Sequence, residues 1–522
     1  MEGESPFRRH VAWGLCCAAY LIASPYFERL NNPNENVRVW ATRAIVAHHV
    51  LNIDDVQREW GWVNDKAKNE HHVYSGKAPG ATFAGVPVLW VQTKLRQLVG
   101  WPPPGKHAAT FWLRLFVVKL PLCAFLFLFA GYAGRVTGSA WARDAAVVAL
   151  GMGTLMYAYG NMFVGHALAA AAAFGAFILV DEVSEDAPPK ALMARMAAAG
   201  LLGGLTVLFE YQALLVSVVL AVYAAVRYRR RLPAVAAFFA GALPPAFALG
   251  AYHTALFGRP WRFPYAYIEN EGFARTDHAA GFFGLTLPHG SAFPSFLWSP
   301  SYGLFAFSPV LALGVVAIVV LFRRGSRGER RDATLAATVT VVLFLFLAGM
   351  SHWRVGWCVG PRYITTIAPF LLLPLLKLWP RLGDRWRWWV TAIAVGVLIP
   401  SVVLNLVSGA LYPHYPEAYD NPVFDLAFPL IGEGYAPYGL GWLLHLPGRW
   451  ALAPVAVAAL AAVSLVAAGD DSRPRRMAAH LGLSIAIAAT FFLGLGAYGR
   501  TPRPIEARAD AVVRQAWEPP RR

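Results

Sequence analysis

"ATFAGVPVLWVQTKLRQLVG", from Ala81 to Gly100, decides how the chain threads a membrane. It is apolar and about as long as a bilayer core requires. If it crossed, every later basic cluster would move to the opposite side. It also holds Pro87, Gln92, Lys94 and Arg96, while Phe83, Val86, Leu89 and Trp90 share one helical face. The reading is a helix lying in the interface plane.

The composition explains why a membrane is at issue. Of 522 residues, 57% are hydrophobic and 15% charged, whereas a soluble domain carries about a quarter charged residues. No charged stretch is long enough to fold separately. The expected fold is therefore all-α and polytopic, one transmembrane domain over residues 1–498 with a first outer loop at 28–109. Residues 499–522 form a short Pro/Arg-rich outer tail on the surface. The net charge of +16 reads as the positive-inside bias. No nucleic-acid-binding pattern accompanies it, so nucleic acid is not an expected partner. The four cysteines show no metal spacing and no disulfide framework. The apolar run Val11–Tyr26 follows Arg8 and Arg9 and reads as an uncleaved first span, its N-terminus in the cytoplasm.

Basic clusters at Arg227–Arg231, Arg323–Arg331, Pro380–Arg387 and Asp470–Arg476 are assigned to the cytoplasm. The aromatic-rich loops 258–302, 351–363 and 412–449 then lie outside. After the in-plane helix, spans are expected near 110–135, 140–160, 163–183, 193–208, 212–226 and 235–257. Further spans follow near 303–321, 333–349, 364–379, 388–411, 450–468 and 477–498. With the first, this makes about 13, the pair flanking Glu210 being short. There is no internal repeat of the transporter kind.

The first outer loop concentrates the chemistry. In "NNPNENVRVWATRAIVAHHV" (Asn31–Val50), Pro33 and then Asn34 as N-cap signal a helix start. Val37, Trp40, Ala41, Ala44, Ile45 and His48 form one face, and Arg38, Thr42 and Arg43 the other. The expectation is an amphipathic helix at the outer interface, with Glu35 in its first turn either facing the helix dipole or acting as a general base. Beyond it, Asp65, Glu70, His71 and His72 lie close in sequence, and a divalent metal is a candidate cofactor there. "YSGKAPG" (Tyr74–Gly80) holds Lys77 in a turn. It is not a P-loop, because Ala78 stands where Ser or Thr is required. A Lys beside flexible backbone still suits a phosphate oxygen.

"NENVR" followed by an Asp, a His and "YSGKAPG" resembles the polyprenyl-phosphate-dependent glycosyltransferases of the GT-C superfamily. The branch is that of bacterial relatives of protein O-mannosyltransferases and the lipid A aminoarabinose transferase. "FWLRLFVVKLP" (Phe111–Pro121), "SPSYGLFAFSPVLALG" (Ser299–Gly314) and "GWCVGPRYITTIAPFLLLPL" (Gly356–Leu375) extend the resemblance over most of the chain. The acid here stands in Asn-Glu-Asn, where relatives often show Asp-Glu or Glu-Thr. The resemblance implies transfer of a sugar from a polyprenyl-phosphate donor to a hydroxyl acceptor, on the outer face of a bacterial cytoplasmic membrane.

That chemistry needs a base near the anomeric carbon, for which Glu35 is the candidate. It also needs positive charge on the leaving phosphate, for which Lys77, Arg362, Arg38 and Arg354 are candidates. Asp65, His72, Tyr74 and Glu210 are candidate site-lining residues, and His253, Asp277 and His278 further candidate metal ligands. Each basic residue also has a plain structural reading, as a solvated helix face or a headgroup anchor. Two rival functions are an O-antigen ligase or polymerase, whose large loop comes late, and a polyprenyl-lipid transporter, which predicts repeats.

Overall fold

The computed structural model describes residues 6–183, 187–276, 280–354, 356–467, 469, 474–498 and 503–518. Nearly every element is helical, as the apolar runs dictate, and each expected span coincides with a helix. Two are broken. Residues 140–160 form helices Ala140–Met152 and Leu155–Gly160, interrupted where Thr154 caps the second. Residues 303–321 form Leu304–Phe307, a tight turn at Pro309–Leu311, and Ala312–Arg324. Among the described residues, seven helices are long and apolar enough to cross a membrane, the longest running from Lys106 to Thr137. The chain is a multi-pass membrane protein.

Charged side chains separate the two ends of the bundle. Lys377 Nζ lies 2.9 Å from both Asp181 and Asp332, and Arg227 lies 2.9 Å from Asp181. Arg381 pairs with Glu329 at 2.6 Å, and Trp388 donates to the Arg476 carbonyl. The described parts of all four basic clusters or their helices thus meet at one end. The opposite ends of the same helices carry His166, Glu210 and Arg362. Helix His166–Asp181 has 16 residues, so about 24 Å separates the two groups.

The Ala81–Gly100 segment is helix Gly80–Leu98, and it begins and ends on one side. Lys77, just before it, reaches Asp65. Lys106, just after it, pairs with Glu28 at 2.7 Å. The following helix then descends through Arg114 to Tyr132, whose hydroxyl donates to Asp181 at the basic end. The segment therefore does not cross. Its buried face is Thr82, Gly85, Leu89 and Gln92, which shares only Leu89 with the stripe expected. Trp90, Leu95 and Leu98 are exposed on the other side, an apolar surface that suits lipid.

The described part of the C-terminal tail, 503–518, is a largely exposed helix docked on the rest of the chain. Helix Pro504–Gln515 buries Ala509 and Val513. Arg503 bonds Asp420 at 2.9 Å, and Trp517 inserts between Phe27 and Tyr435. The apolar stripe of this amphipathic helix needs a partner, and the 412–436 loop supplies it.

Candidate functional site

The only strands among the described residues build the site's rim. Lys66–Lys68 and Val73–Ser75 pair antiparallel, Lys66 opposite Ser75. One step beyond that register, Asp65 faces Gly76, whose amide donates to the Asp65 carbonyl at 3.2 Å. A Cβ on Gly76 would sit 2.8 Å from that carbonyl oxygen, so the close approach requires glycine. The pairing places Lys77 Nζ 3.0 Å from Asp65 Oδ1. Asp65 adopts φ 63°, a left-handed conformation that Asp tolerates better than most residues. Burial would push its carboxyl up. Lys77 and Arg362 outweigh burial and hold it below the usual range.

Helix Pro33–His48 carries two charges into the interior. Its N-cap is Asn32, not Asn34: the Asn32 side chain accepts from the Asn34 amide at 2.9 Å. The face read as solvated is covered, for Arg38 and Thr42 are both fully buried. The helix packs inside the outer loops, against Gly80–Leu98 and Asp54–Trp60, so periodicity alone misjudged its surroundings. Arg38 Nη2 donates to Glu210 Oε1 at 2.8 Å.

Glu35 is fully buried. Arg114 grips it with Nε 2.6 Å from Oε1, and a second bond from Nη2 reaches Oε2. The Phe163 amide also donates to Oε1. Burial would raise this carboxyl, and Arg114 outweighs it, holding Glu35 in its charged form. The expectation that Glu35 takes a proton from an acceptor thus meets a carboxylate closed to solvent and committed to a guanidinium.

Glu210 is held by the same turn. Gly165, two residues beyond Phe163, donates to Glu210 Oε1 at 3.1 Å. A Cβ on Gly165 would lie 2.1 Å from the Phe209 carbonyl oxygen. Only glycine lets the turn press this closely. His166 Nδ1 lies 3.5 Å from the same Glu210 oxygen. Burial is opposed by His166 and Arg38, and the Glu210 carboxyl lies below its usual range.

Arg362 stands apart from these pairs. It is 7% exposed, its Nε has no partner, and among the described residues no carboxylate pairs with it. It lies over the Tyr363 ring at 5.4 Å and interacts electrostatically with Asp65. A buried guanidinium with no hydrogen-bonded carboxylate is costly. Arg38, Lys77 and Arg362 outnumber Asp65 and Glu210, which leaves the cluster one positive charge in excess.

The other expected residues lie elsewhere. Arg354 lies in the loop before Arg362, within electrostatic range of Glu417, and its carbonyl accepts from the Cys358 thiol at 3.5 Å. His72 is exposed and bonded to Asp54 at 2.7 Å, and His71 and Glu70 are exposed beside it. Tyr74 packs with Tyr252 and Phe257 behind the hairpin. Asp65 lies beside Gly76 at the open end of the hairpin and His72 beside Asn69 at its turn, so the length of the strands separates them. His253 bonds the Tyr211 hydroxyl at 3.0 Å, while Asp277 and His278 lie outside the described residues. Among the described residues, no three His, Cys, Asp or Glu side chains converge as a metal-ligand set.

Sequence reasoning passed over Arg114, His166 and His414, which lines the far side of Glu35 and Arg114. Arg114 and His166 stand in or beside apolar runs. A polar group there needs a partner, and that signal was available.

No protein-family model matches the chain, and no curated protein does. Among solved structures, it is similar to ArnT from Cupriavidus metallidurans bound to undecaprenyl phosphate, with 15% identity, 93% of this chain and 76% of that chain covered, and a TM-score of 0.46. It is also similar to the oligosaccharyltransferase of Archaeoglobus fulgidus in the apo form, with 13% identity and a TM-score of 0.44, covering 81% of this chain and 59% of that one.

Proposed function

We propose that the chain is a membrane glycosyltransferase that moves a sugar from a polyprenyl-phosphate donor to a hydroxyl acceptor. The reaction takes place at the end of the bundle opposite the basic clusters, which we assign to the outer face of the cytoplasmic membrane. The observation that carries the reading is Arg362, a buried guanidinium with no ion-paired carboxylate, which shares Asp65 with Lys77 at the open end of the strand pair. A phosphate supplies the missing negative charge and accepts bidentate hydrogen bonds from Arg.

The acceptor oxygen attacks the anomeric carbon, and the bond from that carbon to the phosphate oxygen breaks. The phosphate leaves with the electron pair, stabilised by Arg362 and Lys77 with Arg38 behind them. We assign the acceptor's proton to Asp65 rather than Glu35. Asp65 keeps a side-chain exposure of 22%, and Glu35 keeps none. Lys77 is shared. When it turns to the phosphate, Asp65 loses its main counter-charge and becomes a stronger base.

The test is binding and turnover by purified protein in nanodiscs. Undecaprenyl phosphate should bind far more tightly than undecaprenol, and Arg362→Ala should abolish the difference. Equal binding of the two lipids by the unsubstituted protein would refute the phosphate site.

A further inference from the structure

Buried polar atoms without partners are rare in folded proteins, so a group of them calls for a ligand or ordered water. Besides Nε of Arg38, three such atoms lie near the phosphate site, from three separate segments. They are Nε of Arg362, the hydroxyl of Tyr302 and Nε2 of His166. All three residues are more than nine-tenths buried. The His166 ring centroid lies 5.1 Å from that of Tyr159 and 6.0 Å from that of Tyr363. Tyr302 is within electrostatic range of Tyr159, Tyr363 and Arg362. Tyr159 is itself locked, its hydroxyl donating to the Val359 carbonyl at 2.6 Å.

The chemistry of the three atoms is specific. Glu210 faces His166 Nδ1, so the favoured tautomer carries its hydrogen there and Nε2 presents a lone pair. The Tyr302 hydroxyl both donates and accepts, and the Arg362 Nε–H donates. Their complement is a ligand that donates and accepts through the same groups, with flat apolar faces for the tyrosine rings. Sugar hydroxyls and ring carbons meet that description. Glu210, the carboxylate next to His166, is held by Arg38. The three seat residues themselves offer a guanidinium and no carboxylate, so an ammonium on the ligand would find no acid there to pair with.

We propose that His166, Tyr302 and Arg362 form the seat of the donor's sugar, and that this seat selects a neutral polyhydroxylated sugar over a cationic amino sugar. The assignment rests on the polyprenyl-phosphate reading above and adds the class of sugar. His166 Nε2 accepts from a sugar hydroxyl, and Tyr302 bonds a second one.

The experiment compares three lipids on the full chain in nanodiscs: undecaprenyl phosphate, its neutral hexose conjugate and its amino-sugar conjugate. The hexose conjugate should bind about tenfold more tightly than bare undecaprenyl phosphate, the equivalent of one or two hydrogen bonds. The amino-sugar conjugate should gain nothing. Tyr302→Phe removes only an unpartnered hydroxyl, so it should melt no lower than the unsubstituted protein. It and His166→Gln should bind bare undecaprenyl phosphate normally and lose the hexose increment. An increment that survives both substitutions would mean that the three atoms hold water only, and an amino-sugar conjugate that binds as tightly would mean that the seat does not select; either overturns the assignment. Failure of the unsubstituted protein to bind any of the lipids would instead strike the phosphate reading, and this one with it.

Discussion

Arg114 and Glu35 form a two-pronged ion pair sealed inside the protein, with Nε 2.6 Å from Oε1. Both side chains are at most 2% exposed. The pair joins the first helix of the outer loop to the head of the longest apolar helix, and in the function proposed above it holds the site while Asp65 takes the proton.

Breaking one half of that pair should unfold the site. Removing a partner leaves a buried charge uncompensated, which costs about 3–5 kcal/mol. Arg114→Gln and Glu35→Gln should each lower the thermal midpoint in detergent markedly. The double replacement Glu35→Leu with Arg114→Leu should be less damaging than Arg114→Leu alone. A Glu35→Gln protein that melts normally yet fails to turn over would return the base role to Glu35.

Asp65→Asn should spare folding and lipid-phosphate binding while cutting turnover by about 10²–10⁴, the usual contribution of a general base. Release of polyprenyl phosphate from a sugar-charged donor measures it. Wild-type turnover in this variant would remove Asp65 as the proton acceptor.

Arg362→Met carries an unusual sign. The empty protein loses an unpaired buried charge, so its thermal midpoint should hold or rise. Affinity for undecaprenyl phosphate should fall about 10- to 100-fold, the worth of hydrogen bonds to a charged group. A midpoint well below that of the unsubstituted protein would show that Arg362 has a structural counter-charge.

Stability should fall with acid. Burial, with Arg114 and Arg362 nearby, pushes His414 down to about 3, against about 6.5 for a free histidine. The unfolded chain takes up that proton first, so the stability is complete above about 6.5 and drains away as pH falls towards about 3. Glu35, Asp65 and Glu210, all held below their usual range, contribute stability that is lost at still lower pH, with the same sign. Thermal melts from pH 7 to pH 5 should show the descent, and His414→Gln should flatten it.

Gly165→Ala should be poorly tolerated, because the added methyl group meets the Phe209 carbonyl and the Glu210 carboxylate. Activity should fall together with the thermal midpoint, whereas Gly14→Ala, which meets no neighbour within 4 Å, should leave both unchanged.

Hydropathy and charge along the chain were enough to give a helical membrane bundle and the course of its apolar helices. Hydropathy and basic clusters act locally, so they survive any arrangement of neighbours. The same local logic kept Ala81–Gly100 from crossing, through Lys94, Arg96 and Pro87. It also put Lys77 and Arg362 in loops on the same side, and the structure brings both within electrostatic range of Asp65. Tertiary structure alone decided what those residues do. Periodicity states which residues share a helix face but not what covers it, so Arg38 and Thr42 read as solvated and are buried. Glu35 meets Arg114 across 79 positions and Arg38 meets Glu210 across 172, separations over which a single sequence carries no pairing signal. The difference between a clamped acid and a reactive one is a matter of partner and exposure, and both are properties of the packed molecule.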